Sequence, residues 1–290
     1  MSKYFHLTVK EIIRETDDTI TIHFWHPPHQ AISYKPGQFL TLMPVVEGKK
    51  IRRAYSMSSS PNKDASLAVT VKRLPGGLVS NHLIDRLRPG DAMEVMEPMG
   101  HFVCEPNPTR ARTLVLFGAG SGITPLMSML KSVLPVETRT RIVLIYGSRN
   151  EDSIIFNQQL ADLQTKYADR LEVRHVLSQP KSWHREAGRI NQGKAIELIE
   201  EFGVDVQKAE FYVCGPEGLM HEVQGALAVL GVPKERIHKE SFAPSLETHG
   251  EVVEEEDGGS LKTQTVTVMY EGAEYKVEVQ PHQTILEAAL

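Results

Sequence analysis

A glycine-rich turn between a buried strand and a helix limits the fold most. Residues 114–117 are continuously apolar, residues 118–125 read Gly-Ala-Gly-Ser-Gly-Ile-Thr-Pro, and an apolar-periodic segment follows over 126–133. A strand, a glycine-rich turn and a helix open a nucleotide-binding βα unit, in which the helix N-terminus stabilises a pyrophosphate. Pro125 fits the first helical turn, where a backbone N–H is not needed. The Gly-x-Gly-x-Gly spacing departs from the common dinucleotide fingerprint, so the turn by itself is a weak signal.

The same alternation continues towards the C-terminus. Strands are predicted over 141–146, 171–177 and 210–214, and helices over 156–168, 193–202 and 218–230. This order predicts a mainly parallel sheet with helices on both faces. Ligands of such sheets lie outside the carboxyl ends of the strands. We therefore expect the turns at 118–125, 147–150 and 214–218 to converge on one crevice.

Two of these turns carry side chains suited to a nucleotide. Ser148 and Arg149 follow a predicted strand and are placed to meet a ribose 2′ substituent, where a cation favours a 2′-phosphate and hence NADPH over NADH. Cys214 precedes a Gly-Pro pair and is a candidate neighbour of the nicotinamide carbon. The alternative for Cys214 is a buried thiol at a strand end, which is the commoner environment of a free cysteine. Cys104 is predicted to be a buried thiol of this second kind, without a role at the nucleotide.

The first hundred residues have the pattern of β structure. Short runs rich in β-branched and aromatic residues predict strands over 5–13, 19–25, 38–43, 54–58, 67–72 and 92–96. Asp, Asn, Pro and Gly separate these runs. Such regular short strands indicate a barrel or a sandwich, and a barrel removes exposed strand edges.

One of these strands combines a cation, an aromatic face and a hydroxyl. Arg53 can hold a pyrophosphate by a charge-assisted fork. Tyr55 can lie against an isoalloxazine ring, and the Ser56 hydroxyl can reach the reactive edge nitrogen of that ring. The same residue types are also typical of a solvated β face. The segment therefore indicates a cofactor site only in combination with the motifs that follow it.

Two later segments are candidates for the same site. Gly76 and Gly77 lead into a short helical pattern with Ser80, which predicts either a second contact with a pyrophosphate or a simple connection. Near the end of the alternating region, Phe242 is a candidate cover for a flavin or nicotinamide, and Glu240 is a candidate proton relay through Ser56. The alternative for this last segment is a final strand with one core aromatic.

Composition excludes several classes of protein. The chain has 290 residues and a formal charge of -5, so we expect two domains with a remainder and no nucleic-acid partner. No apolar stretch is long enough to span a bilayer, and residues 1–10 lack a signal-peptide pattern, so we expect a cytoplasmic protein without membrane insertion. Two cysteines provide neither a disulfide framework nor the four thiolates of a cluster.

The C-terminal part has a different pattern. Residues 244–262 contain an acidic run and no periodicity, which predicts a solvated linker. Residues 265–270 and 273–279 alternate as a hairpin, and a helix is expected from Thr284. So short a segment cannot bury a core, so we expect it to be the opening of a domain whose remainder is absent.

Together these segments resemble the ferredoxin–NADP reductase family. The resemblance lies in Arg-x-Tyr-Ser at 53–56, the glycine pair with Ser80, the turn at 118–125, residues 146–150 and Cys214-Gly-Pro. It is closest to bacterial reductases of the phenylacetyl-CoA oxygenase reductase type, which carry a C-terminal plant-type ferredoxin domain. The implied fold class is β plus α/β.

The resemblance implies four parts of the chain. An antiparallel FAD-binding β-barrel over 1–108 is followed by a parallel-sheet NAD(P)H-binding domain over 109–243. The acidic linker then leads to an incomplete β-grasp, ferredoxin-like segment over 263–290. No four-cysteine loop follows this segment, so we expect a 2Fe-2S cluster only in a longer form of the protein.

The implied activity is electron transfer. Hydride passes from NADPH, with NADH as a possible donor, to FAD. Single electrons then pass to an iron–sulfur domain or partner, such as a ferredoxin domain, that serves an oxygenase or a desaturase. The alternative is a non-catalytic FAD- and nucleotide-binding electron-transfer subunit of a larger complex. No metal ligands are predicted.

The resemblance also implies the site residues. Ser56, Cys214 and Glu240 are the predicted catalytic residues. The predicted cofactor-binding residues are Arg53, Ala54, Tyr55, Ser56, Val71, Lys72, Gly76, Gly77, Leu78, Val79, Ser80, Gly120, Thr124, Pro125, Ser148, Arg149, Cys214, Gly215, Pro216 and Phe242.

Overall fold

Alternating apolar residues in the N-terminal part build an antiparallel sheet. The computed structural model describes residues 3–27, 31–183, 185–242, 263–270 and 273–279. The sheet consists of β1 (Tyr4–Thr16), β2 (Thr19–Phe24), β3 (Phe39–Leu42), β6 (Arg53–Ser56), β7 (Leu67–Lys72) and β8 (Ala92–Met99), with a small hairpin of β4 (Val45–Val46) and β5 (Lys49–Lys50) and one helix, α1 (Leu78–Arg86).

The six strands close into a barrel. Their order is β6-β3-β8-β1-β2-β7, and an antiparallel bridge between Met57 and Val69 joins the two edges. Inward side chains such as Ile22 and Leu40 are fully buried, and Leu83 of α1 packs against them. The barrel interior is therefore a packed hydrophobic core.

The second part is a parallel five-stranded sheet between helices. Its elements are β9 (Thr113–Ala119), α2 (Ile123–Val133), β10 (Arg141–Ser148), α3 (Asn157–Lys166), β11 (Leu171–Leu177), α4 (Gln192–Glu201), β12 (Glu210–Gly215), α5 (Glu217–Val229) and β13 (Ile237–Ser241). The strand order is β11-β10-β9-β12-β13. The order reverses beside β9, so the predicted crevice at the carboxyl ends of β9 and β12 lies at a topological switch point.

The barrel and the parallel sheet belong to one compact unit, Met1–Glu247. A buried charge cluster lies near their junction: Arg112 contacts Glu137 at 2.8 Å and Glu210 at 2.8 Å. Burial alone would raise the pKa of Glu137, but the Arg112 and Thr140 hydrogen bonds hold that pKa below its usual value. Because the charges of this buried cluster are paired and hydrogen-bonded, removal of one member should strongly lower the free energy of unfolding.

The second unit, Thr248–Leu290, contains the predicted hairpin. Strands β14 (Gln264–Tyr270) and β15 (Ala273–Val279) pair antiparallel, with Val266 opposite Val277. The predicted linker over 244–262, the Glu271-Gly272 turn and the helix from Thr284 lie outside the described residues. No helix in the described ranges has the length and apolar character needed to cross a membrane.

Most predicted elements are confirmed in type, while several bounds differ; β1 and β8, for example, each continue three residues beyond the predicted end. Helix α2 begins at Ile123 rather than 126, because a 3-10 turn over Gly120–Gly122 leads straight into it and Thr124 closes the junction by donating to the Ser121 carbonyl at 2.8 Å. Strand β10 continues two residues beyond the predicted end. The β4–β5 hairpin was not predicted, because strands of two residues carry no measurable alternation.

Candidate active site

The Arg-x-Tyr-Ser segment forms edge strand β6. It pairs with β3, and Ser56 lies opposite Phe39. Arg53 and Tyr55 are half-buried, Ala54 is exposed, and Ser56 is buried. Burial raises the pKa of Tyr55 to about 12, while the nearby Arg53 charge lowers it. The phenol is therefore neutral at physiological pH, and the ring stands at the barrel surface with a cation beside it.

The carboxyl ends of β12 and β13 bring Cys214 and Glu240 together as register partners. Burial raises the pKa of Glu240 to about 7, and the Ser56 hydroxyl, which lies alongside, lowers it in part. Burial and the Glu240 charge together raise the pKa of Cys214 well above its usual value. The three predicted catalytic residues therefore share one site, in which the thiol is neutral and the carboxyl titrates near neutrality.

Buried polar atoms at this crevice lack protein partners. Within the described part of the chain, Ser56 Oγ, Ser148 Oγ and Glu240 Oε2 are buried and have no partner in hydrogen-bond geometry. Ser56 lies close to Glu240, and Ser148 lies beside the Tyr146 phenol, without completing such a bond. Unpartnered buried polar atoms are rare in proteins and are typical of sites that a ligand completes.

The glycine-rich turn packs directly on the end of β12. A Cβ at Gly122 would lie 2.1 Å from the Cys214 carbonyl oxygen, so only glycine allows this approach. Gly120 has φ of +53°, with open space on its Cβ side. Pro125 is the third residue of α2, and no side chain in the described ranges caps that helix. The Ile123 N–H already donates to the Gly120 and Ser121 carbonyl oxygens and Pro125 has no N–H, so this helix start has fewer donors left for a pyrophosphate than the sequence predicts.

The second glycine pair forms the start of α1. Gly76 has φ of +73° with open space around it, and Gly77 is the N-cap residue. Ser80 Oγ accepts a hydrogen bond from the Leu74 backbone N–H at 3.1 Å, which closes the turn. Leu78 is 45% exposed. The backbone at Gly76 is accessible to an anion, whereas the Gly77 N–H already donates to the Leu74 carbonyl oxygen at 2.9 Å and the Ser80 oxygen already has one partner.

Three predicted positions offer less to a cofactor through their side chains. The side chains of Val71 and Val79 are buried in the barrel core. A cofactor could therefore contact these two residues only through their backbone atoms. The Lys72 ammonium lies 3.4 Å from the Asp18 carboxylate. Their assignment stays a prediction.

Other predicted positions lie at the sheet edge. Arg149 is exposed just after β10, and its carbonyl accepts from the Gln179 N–H at 2.7 Å. Pro216 is the exposed N-cap residue of α5. A Cβ at Gly215 would lie 2.8 Å from a Leu219 methyl, so Gly215 allows close packing. Phe242, just beyond β13, is 39% exposed.

An exposed aromatic on a loop near Arg149 was not predicted. Trp183 is 88% exposed on the loop after β11. The Glu151 carboxylate holds this loop by accepting from the Lys181 N–H at 2.9 Å and from Ser182 Oγ at 3.1 Å. A tryptophan in a run of Pro, Lys and Ser is the sequence signal that could have indicated it.

Comparisons with known proteins agree with this geometry. The family profile "Oxidoreductase FAD-binding domain" matches residues 6–104, and "Oxidoreductase NAD-binding domain" matches residues 116–225. The chain is 34% identical to one of the subunits of 1,2-phenylacetyl-CoA epoxidase from Escherichia coli, over 100% of this chain and 81% of that protein. The chain belongs to the ferredoxin–NADP reductase family. The predicted family and fold class, and FAD and a pyridine nucleotide as cofactors, are thereby confirmed.

Two further proteins resemble this ferredoxin–NADP reductase family member. The ferredoxin reductase component of 3-ketosteroid-9-alpha-monooxygenase from Rhodococcus rhodochrous is 34% identical, over 98% of this chain and 79% of that protein. The FAD/NAD-binding domain of nitric oxide dioxygenase from Vibrio cholerae superposes with a TM-score of 0.72 at 26% identity, covering 82% of this chain and 98% of that one. The reductase is an NAD(P)H-dependent flavin oxidoreductase.

The residues of the reductase fit both cofactors. The unpartnered Ser56 and Ser148 hydroxyls, the open space at Gly76 and Gly120 and the close approach at Gly122 are features that a flavin and a nucleotide complete. No group of three or more His, Cys, Asp or Glu side chains in the described ranges is arranged to hold a metal ion.

Proposed function

We propose that this reductase draws electrons from NADPH and delivers them singly to an oxygenase partner. The observation that carries the proposal is the meeting of Ser56, from the barrel, with Glu240 and Cys214, from the parallel sheet. Bound FAD supplies the conversion of a two-electron donor into one-electron transfer. The protein supplies orientation, a proton and exclusion of water.

The barrel residues are suited to hold FAD. Tyr55 offers a neutral aromatic face for stacking, and Arg53 offers a cation for the pyrophosphate. The open backbone at Gly76 offers a further contact, whereas the Gly77 N–H already donates to the Leu74 carbonyl oxygen at 2.9 Å. Ser56 links the ring edge to Glu240, whose pKa of about 7 allows it to hold and release a proton at physiological pH.

The sheet residues are suited to hold NADPH. The open backbone at Gly120 and the positive end of the α2 dipole favour a pyrophosphate at this turn. Exposed Arg149 offers a cation for a 2′-phosphate, which is why NADPH is proposed over NADH. Trp183, on the loop after β11, offers a ring on which adenine can stack. Phe242 is the proposed cover of the flavin or nicotinamide.

The proposed partner follows from the relatives. Two of them are named as components of a 1,2-phenylacetyl-CoA epoxidase and a 3-ketosteroid-9-alpha-monooxygenase. A one-electron acceptor of the oxygenase class is therefore proposed here.

The test is a visible absorption spectrum of the purified protein with iron analysis, followed by anaerobic addition of NADPH and, separately, NADH. A yellow protein that bleaches with NADPH supports the proposal. Flavin that neither nucleotide bleaches would favour a non-catalytic electron-transfer subunit. Colourless protein that cannot be reconstituted with FAD would overturn the assignment of the barrel site.

A further inference from the structure

We propose that Ser128 and Ser132 of helix α2 are positioning residues that align the nucleotide turn with the flavin-binding strand. The proposal rests on the proposed function, because it concerns how the donor and acceptor sites are held in register. Both serines lie outside the sites described above, and both are fully buried.

The two serines hydrogen-bond across the junction between barrel and parallel sheet. Ser128 Oγ donates to the Ser59 carbonyl oxygen at 2.6 Å. Ser132 Oγ lies 2.9 Å from Ser60 Oγ and 2.7 Å from the carbonyl oxygen of Ser128, one turn earlier. Ser59 and Ser60 are fully buried as well. The contact is therefore a dry ladder of hydroxyl groups between two domains.

Each side of this ladder is close in sequence to a functional segment. Ser59 follows Ser56 by three residues, and Ser128 follows Thr124 by four, about one helical turn. A shift at the ladder is therefore transmitted over a few residues to the hydroxyl at the flavin edge and to the turn that faces the nucleotide.

The barrel side of the ladder is itself rigid. The Met57 N–H donates to the Gln38 carbonyl at 2.8 Å, and the Ser58 N–H donates to the Ala68 carbonyl at 2.9 Å. Ser59 Oγ contacts the Tyr34 hydroxyl at 2.6 Å. The helix side is rigid because it belongs to α2. Two rigid bodies joined by short directional bonds keep one relative position.

Hydrogen bonds are the contacts here that specify position. Apolar packing around α2 stabilises contact but tolerates small slips, whereas a buried hydrogen bond weakens steeply with misalignment. The ion pair between Lys131 and Asp64 at 3.1 Å is partly exposed and adds little. Misplacement of reacting groups by about 1 Å lowers a rate about 100-fold. Loss of the ladder should therefore affect transfer more than binding.

The test compares the holoenzymes of Ser128→Ala, Ser132→Ala and the double variant with Ser58→Ala. Ser58 is the matched control: its hydroxyl is buried and adjacent in sequence, but accepts from Thr70 Oγ1 at 3.0 Å, inside the barrel. Four quantities are measured: FAD content, NADP+ affinity by calorimetry, the long-wavelength absorbance band of stacked nicotinamide and flavin rings, and the rate of flavin reduction by NADPH.

For the double variant we expect full FAD content and NADP+ affinity within about two-fold of the wild type, with a weakened long-wavelength band and flavin reduction slowed about 10- to 100-fold. Each single variant should fall between the wild type and the double variant, so Ser132→Ala decides the question if the double variant does not fold. Ser58→Ala should leave the band and the rate unchanged.

A wild-type band and rate in the double variant would overturn the proposal, as would equal effects of Ser58→Ala and Ser128→Ala. These outcomes differ from failure of the proposed function, in which NADPH does not reduce the wild-type flavin at all.

Discussion

Cys214 and Glu240 stand opposite each other on neighbouring parallel strands, at the edge of the sheet where Ser56 approaches from the barrel. Burial raises the pKa of both side chains, and the Glu240 charge raises that of Cys214 further. The pair therefore provides a proton-binding carboxyl beside a neutral thiol. Both properties depend on the removal of water from this edge.

The raised pKa of Glu240 predicts a pH-dependent stability. Its pKa is about 7 in the folded protein and 4.5 as the ordinary value, so between these pH values the folded state binds a proton that the unfolded state does not. The free energy of unfolding should therefore fall as pH rises through this window, by about 1 to 2 kcal/mol given partial exposure. Urea unfolding at pH 5 and pH 8 measures it.

In that experiment Glu240→Gln should remove this part of the pH dependence, because the amide does not titrate. Glu235→Gln, at an exposed position, is the control and should leave the pH dependence as in the wild type. An identical pH dependence in Glu240→Gln and the wild type would contradict the assignment.

Removal of the Cys214 thiol should slow electron transfer more than it weakens nucleotide binding. We expect Cys214→Ala to reduce the rate of flavin reduction by NADPH about ten-fold or more, because a group beside the reacting carbon acts through alignment. Stopped-flow absorbance gives the rate, and calorimetry gives the affinity for NADP+. A rate equal to that of the wild type would remove Cys214 from the set of catalytic residues.

Tyr55 should contribute to FAD retention through its ring and not through its hydroxyl. Tyr55→Ala should weaken FAD binding about ten-fold, which corresponds to about 1.4 kcal/mol of lost stacking. Tyr55→Phe keeps the ring and should retain flavin as the wild type does. The measurement is the flavin-to-protein absorbance ratio after dialysis. Full flavin content in Tyr55→Ala would argue against stacking at this position.

Arg149 should determine the preference for NADPH. Loss of a charge-assisted contact with a 2′-phosphate is worth about 1.5 to 3 kcal/mol, so Arg149→Ala should raise the KM for NADPH roughly 10- to 100-fold and leave that for NADH nearly unchanged. Arg139→Ala is a suitable control, because Arg139 donates to the Thr109 carbonyl at 2.9 Å outside the predicted site. Equal losses with both nucleotides would refute a 2′-phosphate role.

Trp183 provides a contrast in the same assay. Both nucleotides contain adenine, so Trp183→Ala should raise the two KM values by similar factors if the indole stacks on the base. A Trp183→Ala enzyme with unchanged KM values would exclude this contact.

Gly122 should not tolerate a side chain. A Cβ there would lie 2.1 Å from the Cys214 carbonyl oxygen, so Gly122→Ala must displace the turn or the strand and should cost about 1 to 3 kcal/mol of unfolding free energy. Gly218→Ala is the matched control, since a Cβ at Gly218 has no neighbour within 4 Å and lies in helix α5. Its stability should be unchanged or higher by up to about 1 kcal/mol. Denaturant midpoints of the two variants test this directly.

The amino-acid sequence by itself determined the order and type of the main elements. The apolar run before Gly118, the glycines that follow it and the period of α2 are local patterns, and so are the alternating strands of the barrel. Strands β7 and β11 have the predicted bounds, because turn-forming residues delimit them on both sides. The candidate site residues could likewise be named from short motifs.

Only the tertiary structure decided how deeply those residues are buried and which further contacts hold them. Ser56 and Glu240 are far apart in the chain, and α2 packs on the barrel through Ser128 and Ser132, a contact that no local pattern encodes. The neutral thiol of Cys214, the pKa of Glu240 and the buried side chains of Val71 and Val79 also depend on packing. Periodicity is a short-range property, whereas desolvation and register between domains arise only when distant segments exclude water together.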